Sequence, residues 1–171
     1  MSKRFPQPDL SNVSEIDWAR LAAYIDGEGC IRIAGVRGAT PYSRRVLYVE
    51  VTVTNTDIRL ADWLRRTFGG STHINNKRAN QAKWSPATAW VVGSQHASKI
   101  LERCLPYFII KREQADVALA FQRTIITDRR YGCKGRPIEL IDQQHLLKEQ
   151  LQTLKGTSSR ARRPASGSTI Q

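Results

Sequence analysis

Residues Leu21 to Gly29 read Leu-Ala-Ala-Tyr-Ile-Asp-Gly-Glu-Gly, a small and apolar stretch that runs directly into two carboxylates and two glycines. Apolar residues at Trp18, Leu21, Ala22 and Ile25 fall at the three-and-four spacing of an amphipathic helix, and Ser14 stands where an N-cap is needed. Gly27 and Gly29 are expected to end that helix. Ala22 and Ala23 leave part of its surface without bulk, so that another backbone can approach closely, and a copy of the same helix is one such partner. A two-fold axis at that contact would bring two Glu28 side chains together at the bottom of the helix pair, where Mg²⁺ could join them through oxygen ligands. The plainer alternative is that Asp26 and Glu28 form only a polar helix exit.

The segment resembles the motif of the LAGLIDADG homing endonucleases. It matches at Leu21, Ala22, Ile25, Asp26 and Gly29, with Gly27 and Glu28 as common family variants; Ala23 stands where the family most often has Gly, and Tyr24 where it has Leu or Phe. Two further stretches strengthen the resemblance. Val53-Thr54-Asn55-Thr56-Asp57-Ile58-Arg59 is similar to the family's second-strand to helix junction, which implies that Asn55 and Arg59 lie near the cleaved phosphates. Asn55 can equally be only a helix cap. Leu105 to Ala115 resembles the segment that carries a lysine near the scissile group, which implies that role for Lys111; the other reading is a surface lysine at a helix start. The likeness runs from about Trp18 to Ala120.

The elements around the motif are readable from periodicity. Cys30 to Arg37 has strand character, and a loop with Gly38, Thr40 and Pro41 leads to an alternating run from Arg45 to Thr54. Val49, Val51 and Val53 face one side of that run, with Tyr48, Glu50, Thr52 and Thr54 on the other, as expected of a sheet with its back on a core. Asn55 or Thr56 can cap the next helix, whose apolar positions Ile58, Ala61, Leu64 and Phe68 recur at helical spacing before Gly69 and Gly70. Strands follow at Ser71 to Asn75 and Ala87 to Gly93, separated by a polar and basic hairpin loop. Helices are expected over about Gln95 to Cys104, Arg112 to Thr127 and Pro137 to Lys155. This is an α+β chain in the order αββαββα with extra C-terminal helices, the arrangement of LAGLIDADG domains. The resemblance implies a saddle-shaped antiparallel sheet over the DNA major groove.

On such a sheet, long polar side chains can read donor and acceptor patterns across several base pairs. The candidates for base and phosphate contact are Arg32, Arg37, Arg44, Arg45, Tyr48, Glu50, Thr52, Lys77, Arg78 and Lys83. Composition agrees with a polyanionic partner: 27 Lys and Arg against 15 Asp and Glu leave a formal charge of +12. That charge would suit a ribosomal protein equally well.

At 171 residues with 40% hydrophobic residues, the chain supports one sizeable core and little more. We expect one domain over residues 1–155 and a basic tail over residues 156–171, in which Arg160, Arg162 and Arg163 either touch the DNA backbone or keep the chain soluble. No apolar run approaches the roughly 20 residues of a membrane helix, and the N-terminus lacks an apolar signal core. The expected location is the cytoplasm of a prokaryote or an organellar matrix. Cys30, Cys104 and Cys133 are odd in number and widely spaced, which specifies neither a disulfide framework nor a zinc site.

A single copy of the motif resembles the homodimeric branch of the family, and two-fold symmetry then implies a long, pseudo-palindromic double-stranded DNA target. By the same resemblance each Glu28 would bind Mg²⁺ with help from the Gly27 carbonyl, and water activated there would attack phosphorus without a protein nucleophile. Lys111 would stabilise charge on the phosphate, and Asn55 and Arg59 would position water. The rival readings are an intron-splicing maturase that binds intron RNA, and a catalytically silent DNA-binding protein on the same fold.

Overall fold

The computed structural model describes residues 8–36, 46–75, 86–125 and 137–160. After a short 3₁₀ turn at Leu10–Asn12, helix α1 spans Glu15–Glu28. Ser14 caps it as its sequence predicts, accepting the backbone N–H of Asp17 at 3.2 Å. One boundary differs from expectation: Gly27 lies inside the helix, and only Gly29 ends it. The reason lies at the C-terminal carbonyls, which need partners wherever a helix stops. The Gly29 N–H bonds to the Ile25 carbonyl, and the Lys111 ammonium donates to the carbonyls of Ile25 and Asp26, so the last turn is held through Gly27.

Strand β1 (Gly29–Val36) leaves the helix directly and pairs antiparallel with β2 (Val46–Asn55), placing Arg32 opposite Glu50. Helix α2 (Ile58–Phe68) leads to β3 (Ser71–Asn75) and β4 (Ala87–Gly93), and the open antiparallel sheet has the order β1-β2-β4-β3. Helices α3 (Ser94–Cys104), α4 (Arg112–Arg123) and α5 (Ile138–Arg160) complete the described chain. The α+β order expected from periodicity is the order observed.

Three helix ends differ in detail. Asp57, rather than Asn55 or Thr56, caps α2 by accepting the Arg59 N–H at 2.9 Å. The α4 helix stops at Arg123 instead of Thr127, because the Thr124 hydroxyl bonds the Phe121 carbonyl at 2.7 Å and closes the final turn. At the far end α5 continues through Gly156 to Arg160.

The two faces of the sheet have different fates. Ile31, Ile33, Val49, Val51, Val53, Trp90 and Val92 are buried beneath the helices with Leu21, Ile25, Leu64, Phe68, Ile100, Leu101 and Phe121. Each such side chain contributes roughly 1.5–3 kcal/mol by leaving water. Trp90 also donates its indole N–H to the Gly69 carbonyl at 2.7 Å, so this large ring is satisfied as well as buried. The opposite face carries Arg32, Tyr48, Glu50, Thr52 and Thr54, so the period-two pattern of β2 reports the sidedness of the sheet. Among the described residues no helix is long and apolar enough to cross a membrane.

Candidate active site

The C-terminal end of α1 gathers residues from three parts of the chain. Asp26 is buried there, and its carboxylate accepts three consecutive backbone N–H groups: Ile109 at 2.8 Å and Ile110 at 3.2 Å on Oδ2, and Lys111 at 2.9 Å on Oδ1. That contact pins the segment leading into α4 against the end of α1. The Lys111 side chain then folds back so that Nζ donates to the Ile25 carbonyl at 2.8 Å and to the Asp26 carbonyl. A lysine expected near a scissile phosphate is thus stationed at the negative end of a helix, within one turn of Glu28.

Glu28 is exposed, and its Oε2 accepts the side-chain amide of Asn55 at 2.5 Å. The other end of the Asn55 amide accepts the Asp57 N–H at 2.7 Å, which leaves the N–H₂ aimed at Glu28. Asn55 therefore orients the carboxylate. Arg59 does not reach Glu28: its guanidinium holds Asp57 through Nε at 3.0 Å and Nη2 at 2.6 Å. These hydrogen bonds from Arg59 keep the Asp57 carboxyl down at about 2. A groove of about 500 Å³ lined by Tyr24, Asn55, Asp57, Arg59, Leu60 and Trp63 lies beside the helix end.

Sequence reasoning assigned no site role to Asp26 or Asp57. The signal for Asp26 was present, since two residues along a helix are turned by about 200°, so Asp26 and Glu28 must face opposite ways. No comparable signal marked Asp57. The small-residue surface of α1 also needs correction. Ala22 is fully buried in the chain's own core, while Ala23 and Gly27 are exposed, and a Cβ added at Gly27 would meet nothing within 4 Å.

The residues fit a divalent ion only in part within one chain. Glu28 offers a hard oxygen ligand at an exposed position and, among the described residues, forms no ion pair; no three His, Cys, Asp or Glu side chains converge there or elsewhere among them.

On the polar face of the sheet, Arg32, Tyr48, Glu50 and Thr52 form one hydrogen-bonded cluster, with Glu50 buried at its centre. Burial and the neighbouring Glu50 charge push the Tyr48 phenol above its ordinary value, so it stays a hydrogen-bond donor. Arg37, Arg44, Arg45, Lys77, Arg78 and Lys83 lie outside the described residues.

No known sequence family and no curated protein matches this chain by sequence. Its fold is nonetheless that of the LAGLIDADG homing endonucleases. It is similar to the homing endonuclease I-CvuI in complex with its target, with a TM-score of 0.63 at 19% identity over 92% of this chain and 87% of that one. It is also similar to the archaeal intron-encoded homing endonuclease I-Vdi141I in complex with DNA, with a TM-score of 0.64 at 10% identity over 92% and 90%. The likeness to I-SmaMI bound to an uncleaved DNA target has a TM-score of 0.56 at 17% identity and covers 82% of this chain but 47% of that one.

Proposed function

We propose that this chain is a site-specific double-strand DNA endonuclease of the LAGLIDADG type that cuts by metal-dependent phosphodiester hydrolysis as a homodimer paired through α1. The observation that carries this reading is the exposed Glu28 carboxylate, oriented by Asn55 and flanked by Lys111 at the end of a helix with small exposed residues. The length relation supports the dimer: the chain spans most of I-CvuI but about half of I-SmaMI, as expected if one copy holds half of a two-part site.

Each residue then has a definable task. Glu28, with the Gly27 carbonyl beside it, would hold Mg²⁺ or a similar hard ion, and Asn55 fixes the rotamer in which Glu28 does so. The ion, when bound, lowers the pKa of water and stabilises the departing oxygen. Lys111 sets a positive charge next to that point without a change in its own position, because backbone carbonyls already hold it. Arg59, ion-paired with Asp57, presents its guanidinium at the groove where a phosphate would pass. The polar sheet face would lie along the major groove.

The test is a randomised duplex DNA library incubated with wild type and Glu28→Gln, in Mg²⁺ and separately in Ca²⁺, with cut and retained molecules sequenced. Wild type in Mg²⁺ should cut one long, near-palindromic site. Glu28→Gln should stay folded and retain that site while cutting at least about a hundredfold more slowly, the scale of several kcal/mol of lost charge stabilisation. Full Mg²⁺-dependent cutting by a folded, DNA-bound Glu28→Gln would refute the metal assignment.

A further inference from the structure

Among the described residues two carboxylates are buried, and only Asp26 belongs to the helix end. The other, Glu50, sits in the middle of the polar sheet face, where a bare carboxylate would repel DNA phosphates. It is not bare. Its side chain is 8% exposed, while that of Arg32, which covers it, is 57% exposed. Arg32 reaches across from the opposing position of β1, donating Nε to Oε1 at 2.6 Å and pairing through Nη2 as well. Tyr48 donates its hydroxyl to Oε2 at 3.1 Å, and the Thr52 hydroxyl lies 3.4 Å from Oε1. From β4, Gly93 stands opposite Glu50, where a Cβ would meet the Tyr48 ring at 3.4 Å, an ordinary van der Waals contact. Two paired strands thus build a single device around one carboxylate.

The way Arg32 is held decides what it can read. Bonding through Nε and Nη2 occupies the side edge of the guanidinium, and the planarity of the group directs the terminal edge, one N–H from each Nη, away from the carboxylate. That terminal fork matches the O6 and N7 acceptors of guanine in the major groove. Adenine would set an amino donor against it, and the pyrimidines offer no second acceptor at the right place.

We infer that Glu50 is a positioning residue rather than a DNA contact, and that Arg32, held by it, is the specificity-determining residue that requires a guanine at one base pair in each half of the target. The inference rests on the DNA-cleaving reading above. Two-fold symmetry makes the guanine recur at the mirrored position on the other strand.

The experiment retains randomised duplexes on full-length wild type, Arg32→Lys and Glu50→Gln in Ca²⁺ and compares base frequencies position by position. Wild type should enrich guanine at one symmetric pair by about tenfold or more. Arg32→Lys keeps a positive charge but loses the planar fork, and should flatten the preference at that pair while preferences elsewhere in the site persist. Glu50→Gln should weaken the same preference by releasing the guanidinium. Should Glu50→Gln fail to fold, Arg32→Lys decides the matter, because Arg32 is largely exposed. Guanine preference unchanged in Arg32→Lys would overturn the inference and leave the endonuclease reading standing. Retention of no duplex by wild type would overturn both.

Discussion

Asp26 and Glu28 have the same charge, lie on the same turn of helix and are put to different uses because their surroundings differ. Asp26 faces inward onto three N–H donors, each a charge-assisted bond in a buried setting. Replacing it with Asn would turn an amide N–H₂ toward at least one of those donors and leave that donor unpaired. Asp26→Asn is expected to cost about 2–3 kcal/mol of stability in urea unfolding, and a change within about 0.5 kcal/mol would contradict the anchoring role. Glu28 sits at the surface with an amide partner, so Glu28→Gln should lie within that same narrow band. Asn55 belongs with Glu28: one end of its amide is committed to the Asp57 N–H, and the other is left for the carboxylate.

At the level of elements, the junction of α1 with β1 is the joint on which the site depends. The chain passes from helix to strand within one residue, and Gly29 allows it because a Cβ there would fall 2.6 Å from the Ile25 Cα, against backbone that cannot step aside. Gly27, one residue before Glu28, meets no such obstacle. The two glycines should therefore respond oppositely to alanine in the DNA-free protein. Gly29→Ala should lose about 1–3 kcal/mol through forced backbone shifts, whereas Gly27→Ala should gain up to roughly 1 kcal/mol from helix propensity. Thermal melts of the two variants side by side check this; equal losses would mean that Gly27 serves a steric purpose outside its own chain, on the surface where a second α1 would pack. The sheet supplies a second joint. Arg32 and Glu50 meet because β1 and β2 pair in one register, and a slip of β1 by one residue would bury Arg32 and expose Ile31 and Ile33.

For the whole molecule, the proposed dimer depends on the exposed side of α1. Ile16, Ala23, Tyr24 and Gly27 face outward, with Ile16 66% and Tyr24 38% exposed, although they belong to the helix that ends at the site. A second α1 packed there would bring two Glu28 carboxylates together and would supply the ligands that one chain lacks. Ala23→Arg sets a long charged side chain on that surface without touching the chain's own core. It is expected to leave the circular dichroism of the fold unchanged, to convert a dimer to a monomer in light scattering, and to abolish double-strand cutting. A dimer that survives Ala23→Arg would place the pairing surface elsewhere. The formal charge of +12 favours approach to a polyanion but does not choose between these surfaces, because it acts at long range and without geometry.

Much of this protein was determined by local sequence alone. The Ser14 cap, the helical spacing of Trp18, Leu21 and Ile25, and the alternation of Val49, Val51 and Val53 each state a period, and a period states which face an element buries. Element order followed, and with it the fold class and the position of Glu28 at a helix end. Tertiary structure decided what stands opposite each side chain. Asp26 meets the N–H of Ile109 across 83 positions of sequence, Asn55 meets Glu28 across 27, and Arg32 meets Glu50 through strand register. The same holds for Ala22 and Ala23, adjacent small residues that only packing sorts into core and surface. Periodicity is set by neighbours within a turn or two of chain, whereas the role of a carboxylate is set by the charge and donors around it, and folding brings those from distant parts of the chain.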